Sequence, residues 1–336
     1  MSHSLMRALA ALVPLSLAGC GTLPSPDHWG AVPTRAMLEV PRPRFAIATT
    51  GYGPGDAFAA DVDTVVLPAL KLVDAVTANT EPELKGDVAE WRTVPGASEA
   101  ILYRFVVENV SEDWSGSALF GTPVKPAQSW RYRLEAKPKM RGDDAFRVVL
   151  SGTRETPEGD VAAELGTGAL QVNWREACSF IDWREVCEAA ARRQSVDVSF
   201  AVDGSTRTVA VELDQVTPVA TGEARYTLEL HGTVDADNAG ELQIVQHYVY
   251  PNQAERPAST SRLVWVSSGA GRNDYVHSWA GSTGDGAPIS GTARGVTCWG
   301  ADALTTYSRE DSGPAGPQET GDASTCPTGA QVAPLP

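Results

Sequence analysis

VDVSFAVDGSTRTVAVELD, residues 196–214, decides the fold. Val196, Val198 and Phe200 alternate with Asp197 and Ser199, a period of two that puts every large apolar side chain on one face of an extended strand. Asp203 and Gly204 then supply a two-residue hairpin signal, and a second run at 207–214 returns antiparallel. The same alternation sets Trp130, Tyr132 and Leu134 against Arg131, Arg133 and Glu135. It sets Tyr226, Leu228 and Leu230 against Thr227, Glu229 and His231. Further runs fall at 101–108, 145–151, 168–175, 241–250 and 261–267, and fainter ones near 274–279, 289–297 and 303–308. So many strands with one polar face predict a mainly β (α+β) protein, a long antiparallel sheet curled into a barrel or half-barrel.

One segment follows a different period. Val62, Val65, Val66, Ala69, Leu70, Val73 and Val76 are spaced by threes and fours, which predicts a helix over 61–78 with one apolar face packed on the sheet. Pro68 should kink it, and Glu81 and Pro82 end it. A transmembrane barrel would also alternate, but this helix, the cysteines and an acidic C-terminus speak against one.

The chain has 336 residues, 42% of them hydrophobic, with 27 basic and 42 acidic side chains for a net charge of −15. That is too apolar for a disordered chain and too acidic to bind nucleic acid without a basic stripe, which the sequence lacks. No apolar run approaches the roughly 18 residues of a spanning helix.

At the N-terminus, Arg7 precedes the apolar run ALAALVPLSL (8–17), and Leu17-Ala18-Gly19 leads to Cys20. This is signal-peptide anatomy. Its last four residues resemble the lipobox of bacterial lipoproteins, which implies cleavage before Cys20 and a diacylglycerol on its thiol. Gly21 rather than Asp after the cysteine points, by the enteric sorting rule, to the outer membrane. The expected organisation is a signal peptide (1–19), a lipidated cysteine with a tether rich in proline (20–44), a single β-rich domain (45–308), and a Pro/Gly-rich tail with little regular structure (309–336).

An envelope address makes disulfides the default for the remaining Cys178, Cys187, Cys298 and Cys326. Three pairings are possible. Cys178 with Cys187 and Cys298 with Cys326 are favoured, the first as a local loop and the second as a tie for the tail.

Chemistry-bearing motifs are sparse. Asp235, Asp237, Asn238 and Gly240 start like a calcium loop, but Ala239 and Gln246 occupy ligand positions, so a hairpin is preferred. His231 and His247 sit on strands that could pair, yet no HExxH or CxxC spacing supports a metal. GxSxG, SxxK and Walker A are absent, so neither an enzyme nor a cofactor is predicted. Among nine tryptophans, Trp130 and Trp265 read as core, whereas Trp29, Trp91, Trp114 and Trp279 fall where exposure is expected.

The C-terminal third carries Arg262 to Trp265, then Ser268-Gly269-Ala270-Gly271-Arg272, Cys298-Trp299, and Gly321-Asp322 before Ser324 and Cys326. These SGAGR, CW and GD-S-C elements resemble a family of uncharacterised bacterial lipoproteins, and the Gly166-Thr167-Gly168 strand and the helix near 70 fit the same order. Thr297 stands where an acid is usual and Asn273 where a small residue is common, which argues against an active site. The resemblance implies architecture and anchoring, without an activity. Physically, 268–271 reads as a tight turn that needs glycine, and Arg272 with Asp274 as an ion pair or turn cap.

The leading functional expectation is a non-enzymatic, membrane-anchored envelope lipoprotein that binds a lipid or other apolar ligand in a concave sheet. A structural or assembly protein binding another envelope protein is the alternative, and an envelope-polymer hydrolase ranks third. A cavity of about 300–1,000 Å³ would favour the first.

Overall fold

The computed structural model describes residues 31–43, 70–71, 73–74, 76–78, 81–93, 100–111, 127–157, 164–180, 193–219, 222–249, 256–282, 288–302, 304–312 and 316–327. Among them are fifteen strands, each hydrogen-bonded antiparallel to the next in chain order. They are β1 (Glu83–Lys85), β2 (Val88–Arg92), β3 (Ile101–Asn109), β4 (Gln128–Pro138), β5 (Arg147–Thr156), β6 (Gly166–Val172), β7 (Arg193–Val202) and β8 (Thr206–Val219). Then follow β9 (Gly222–Asp235), β10 (Gly240–Val249), β11 (Arg256–Trp265), β12 (Gly271–Ser282), β13 (Pro288–Trp299), β14 (Thr305–Asp311) and β15 (Gln318–Gly321). Among the described residues no ladder joins β1 to β15, so the meander is one open sheet and not a closed barrel.

The period-two reading sets the two faces. Trp130, Tyr132, Leu134, Val196, Val198, Phe200, Leu228 and Leu230 are all buried in one core, while Arg131, Glu229 and His231 point to the other side and are exposed. Turns form as their residues dictate. Asp203 Oδ1 accepts from the backbone N–H of Ser205 (2.9 Å) and Thr206 (2.7 Å), and Gly204 takes φ +89°. The 235–240 segment is a hairpin between β9 and β10, with Asn238 at φ +66° and the Ala239 N–H donating to Asp235 Oδ1 at 2.8 Å.

Three expectations need correction. Residues 31–43 are not a free tether: Ala31, Met37, Leu38 and Val40 are buried, because the apolar residues between these prolines complete the core. The run expected as a strand to 175 stops at Val172, where Asn173 turns the chain into a helix (Trp174–Phe180) by accepting from the Glu176 N–H at 3.1 Å. The 309–336 segment is not without structure, since β14 runs to Asp311 and β15 adds a further strand. Strands β1 and β2 add to the sheet ahead of the first run expected, at 101–108. Of the 61–78 helix, residues 61–69 lie outside the described residues, and Leu70, Lys71, Val73, Asp74, Val76 and Thr77 are helical. Leu70, Val73 and Val76 from its apolar stripe are buried in the core.

Candidate functional site

Residues 31–43 cross the core face of the sheet as a strap. The short helix α1 (Arg35–Leu38) lies within it. Two arginines on the sheet hold the strap by its backbone. Arg154 of β5, 1% exposed, donates to Val32 O (3.0 Å) and Leu165 O (3.1 Å), and Arg207 of β8 donates to Ala36 O at 2.7 Å. Burial lowers the Arg154 pKa from its ordinary value, but a guanidinium stays cationic. Burial likewise drives the hydroxyl of the neighbouring Tyr132 well above its ordinary value. Farther along, Pro41 sits where a Cβ on Gly232 would meet its Cδ at 2.9 Å.

Between the strap, the helical residues Leu70, Lys71, Val73, Asp74 and Thr77, and strands β2 and β3 lies a pocket of about 470 Å³. Val32, Pro33, Leu70 and Val73 form its apolar walls, with Trp91 of β2 and Phe105 of β3 at the sheet side. Those two rings pack 5.6 Å apart, tilted by 42°. Arg35, Lys71 and Asp74 are its charged members, all exposed, and Thr34 and Thr77 its hydroxyls. Thr77 donates its hydroxyl back to Val73 O at 2.9 Å. Thr34 Oγ1 is buried and makes no hydrogen bond. Trp91 corrects a sequence expectation: placed at a boundary by its flanks, it is 1% exposed, because β2 carries it to the core face. Trp29 and Trp114 lie outside the described residues, and Trp279 lies in β12.

The C-terminal motifs do come together, in a structural device. Cross-strand register puts Gly240, Trp265, Gly271 and Trp299 in one row across β10 to β13. Each indole covers the glycine of the preceding strand, so that a Cβ on Gly240 or Gly271 would run into it. Trp265 Nε1–H donates to Asn238 O, and Trp299 Nε1–H to Gly269 O, both at 2.8 Å. Each tryptophan thus clamps the turn of the hairpin before it, at Asn238 (φ +66°) and at Gly269 (φ +89°). Beside this row Cys298 and Cys326 form a disulfide with Cα atoms 5.3 Å apart. Asp322 accepts from the Ser324 N–H at 2.9 Å in the turn before Cys326. Cys178 is also disulfide-bonded, while Cys20 and Cys187 lie outside the described residues. Arg272 and Asp274 form the expected ion pair, with Arg272 Nε 2.7 Å from Asp274 Oδ2.

On the same face, the core row turns polar toward β11 and β12. Gln246 donates to the Tyr226 hydroxyl at 3.0 Å and accepts from Ser259, and Ser261 donates to Asn273 Oδ1 at 3.1 Å. The opposite face carries a hollow of about 580 Å³ over β7 to β10. There Asp197, Glu212 and Glu229 stand directly opposite one another on three adjacent strands, an arrangement like charges disfavour. His231 pairs with Gln243 and His247 with Thr227, which puts the two histidines about 13 Å apart along the strands and removes them as a two-imidazole site.

The pocket wall at 32–35 escaped sequence reading because its prolines suggested a spacer. The signal was AVPTRAMLEVP (31–41), in which Ala31, Val32, Met37, Leu38 and Val40 are too apolar for a solvated tether. Compared with known proteins, the chain matches no family model, no curated protein and no solved structure.

Proposed function

We propose that this is a lipid-anchored protein of the bacterial envelope that binds a lipid or other apolar ligand on the core side of its sheet. The observation that carries the reading is the 470 Å³ pocket, within the size range of small-ligand sites and walled by aliphatic and aromatic side chains. Anchoring through Cys20, residence at the outer membrane and kinship with the lipoproteins of the SGAGR, CW and GD-S-C pattern belong to this proposal. They rest on the sequence. So does curvature into a half-barrel, supported by glycines 152, 168, 232, 240 and 271 within strands, where a missing side chain lets a sheet bend. Ten residues separate Cys20 from Ala31, a reach of at most about 40 Å, so an anchored chain would keep its strap close to the bilayer.

Native mass spectrometry of the full chain, as purified and after solvent extraction, tests the reading. A discrete adduct lost on extraction is expected. A bare mass that persists after incubation with envelope lipids would sink it. The alternative, an assembly protein with a filled core, draws on the burial of Trp130, Trp174, Trp265 and Trp299, each at most 2% exposed. It would then become the working reading.

A further inference from the structure

We propose that the pocket takes a single-chain amphiphile with a carboxylate head, the chain lying against Trp91 and Phe105 and the head held by Arg35 and Lys71. This rests on the reading of the pocket as an apolar-ligand site and specifies its occupant.

Size selects one chain. At about 30 Å³ for each water-sized group, 470 Å³ holds on the order of sixteen such groups, enough for one acyl chain but not for the pair carried by a phospholipid. Charge selects the head. Arg35 and Lys71 are exposed members of the pocket and form no ion pair among the described residues. Most other described basic side chains near the sheet are engaged: Arg92 with Glu90, Arg104 with Glu135, Arg225 with Asp214, Arg262 with Glu241. Asp74 is the one acid in the lining, so the charged members sum to a positive site on a chain whose net charge is −15. A cationic mouth on an acidic protein is the local exception that an anionic head would use.

A hydroxyl completes the set. Thr34 Oγ1 is buried in the pocket lining without a hydrogen bond, although Thr34 precedes α1 and could have capped it. Leaving a buried hydroxyl unsatisfied costs stability, and a carboxylate oxygen entering beside it would accept a hydrogen bond from it. Arg35 follows Thr34 in sequence and Lys71 lies on the facing helical segment, so a head at the mouth meets donors from both walls. A neutral head would leave both cations as they are and gain no charge-assisted bond.

Brominated myristic acid, short enough for this volume, tests this, because bromine quenches an indole that it touches. The delipidated full chain is titrated with the acid and, in parallel, with the corresponding brominated alcohol. The expected result is saturable quenching by the acid, largely lost in Trp91→Phe, with a Kd at least tenfold weaker for the alcohol. The double variant Arg35→Glu/Lys71→Glu, altered only at exposed side chains and checked by circular dichroism, should lose at least tenfold for the acid and change little for the alcohol. Equal affinity for acid and alcohol, or a charge-reversed variant that binds the acid normally, overturns the head-group assignment and leaves the apolar pocket standing. Absence of saturable quenching by either probe overturns both.

Discussion

The two ends of this sheet are held together by different means. From β2 to β10 the buried core-facing row is apolar apart from Arg154 and Gln246, and it is covered by the strap, by Leu70, Val73 and Val76, and by Trp174 and Ala177 of the helix Trp174–Phe180. From β11 onward the same row includes Ser259, Ser261 and Asn273, and the indoles of Trp265 and Trp299 cover glycines and clamp turns. A disulfide closes that end. A sheet of fifteen strands has more face than one strap and two helical segments can cover. Where the cover is apolar, burial supplies stability in proportion to area. Elsewhere, hydrogen bonds, aromatic stacking on glycine and a covalent link substitute for it. The pocket lies at the end that depends on cover, where the strap and the helical segment meet β2 and β3.

Truncating the apolar end should therefore cost most. Trp130→Ala removes a side chain 2% exposed near the start of β4, and a loss of about 3–5 kcal/mol in urea denaturation is expected. Hydrogen exchange should report the loss throughout β2 to β10. A cost under 1 kcal/mol would mean that this core is not the stabilising half. Next comes Cys298→Ser with Cys326→Ser. The bond closes a separation of 28 residues, for which loop entropy predicts about 3–4 kcal/mol. Here the faster exchange should be confined to β13, β14 and β15. Acceleration that spreads through β4 to β8 would show that the two ends unfold as one unit and erase the distinction.

Much of this division was legible in the sequence, though not all of it. Alternation at 130–135, 196–200 and 226–230 identified the buried face residue by residue, because a period of two leaves no freedom once one face is apolar. The stripe at Leu70, Val73 and Val76 identified the helical cover. What stayed hidden depended on register. That Gly240, Trp265, Gly271 and Trp299 share a row follows from hairpin lengths and not from the identity of any one residue, so SGAGR and CW could be noticed but not joined. The strap was hidden for a different reason. Proline mimics a linker locally, and only the two arginine donors, more than 100 residues away, show that the segment belongs to the core. The pocket inherits that difficulty, because one of its walls is the strap.

The row of glycines and indoles gives a sharper and smaller test. In Gly271→Ala the new methyl would meet the Trp299 indole and the carbonyl of Val264, neither of which is the loose end of a flexible chain. Overpacking of this kind costs about 1–3 kcal/mol. Trp299→Phe in the same background should recover part of it, since a smaller ring relieves the clash while giving up the bond to Gly269 O. Non-additivity in that double-mutant cycle is the expected signature of contact. Strict additivity would detach the SGAGR turn from the CW element.

The smallest effect is one of pH, and its sign follows from the turn before Cys326. Hydrogen bonds from the Ser324 hydroxyl and backbone N–H hold the Asp322 carboxyl below its ordinary value. A depressed folded value means that the bond contributes stability above the ordinary aspartate pKa of about 3.9, and that the contribution is lost as pH falls through the depressed value. The Ser324 amide resonance should thus titrate with a midpoint under about 3.9, whereas amides of the apolar row in β4 should not move in that window. Asp322→Asn, which can still accept the bond but carries no titrating proton, should abolish the transition. A midpoint at or above the ordinary value would show that Asp322 is not bound to the turn. The clasp at the C-terminal end would then rest on the disulfide and the two indoles alone.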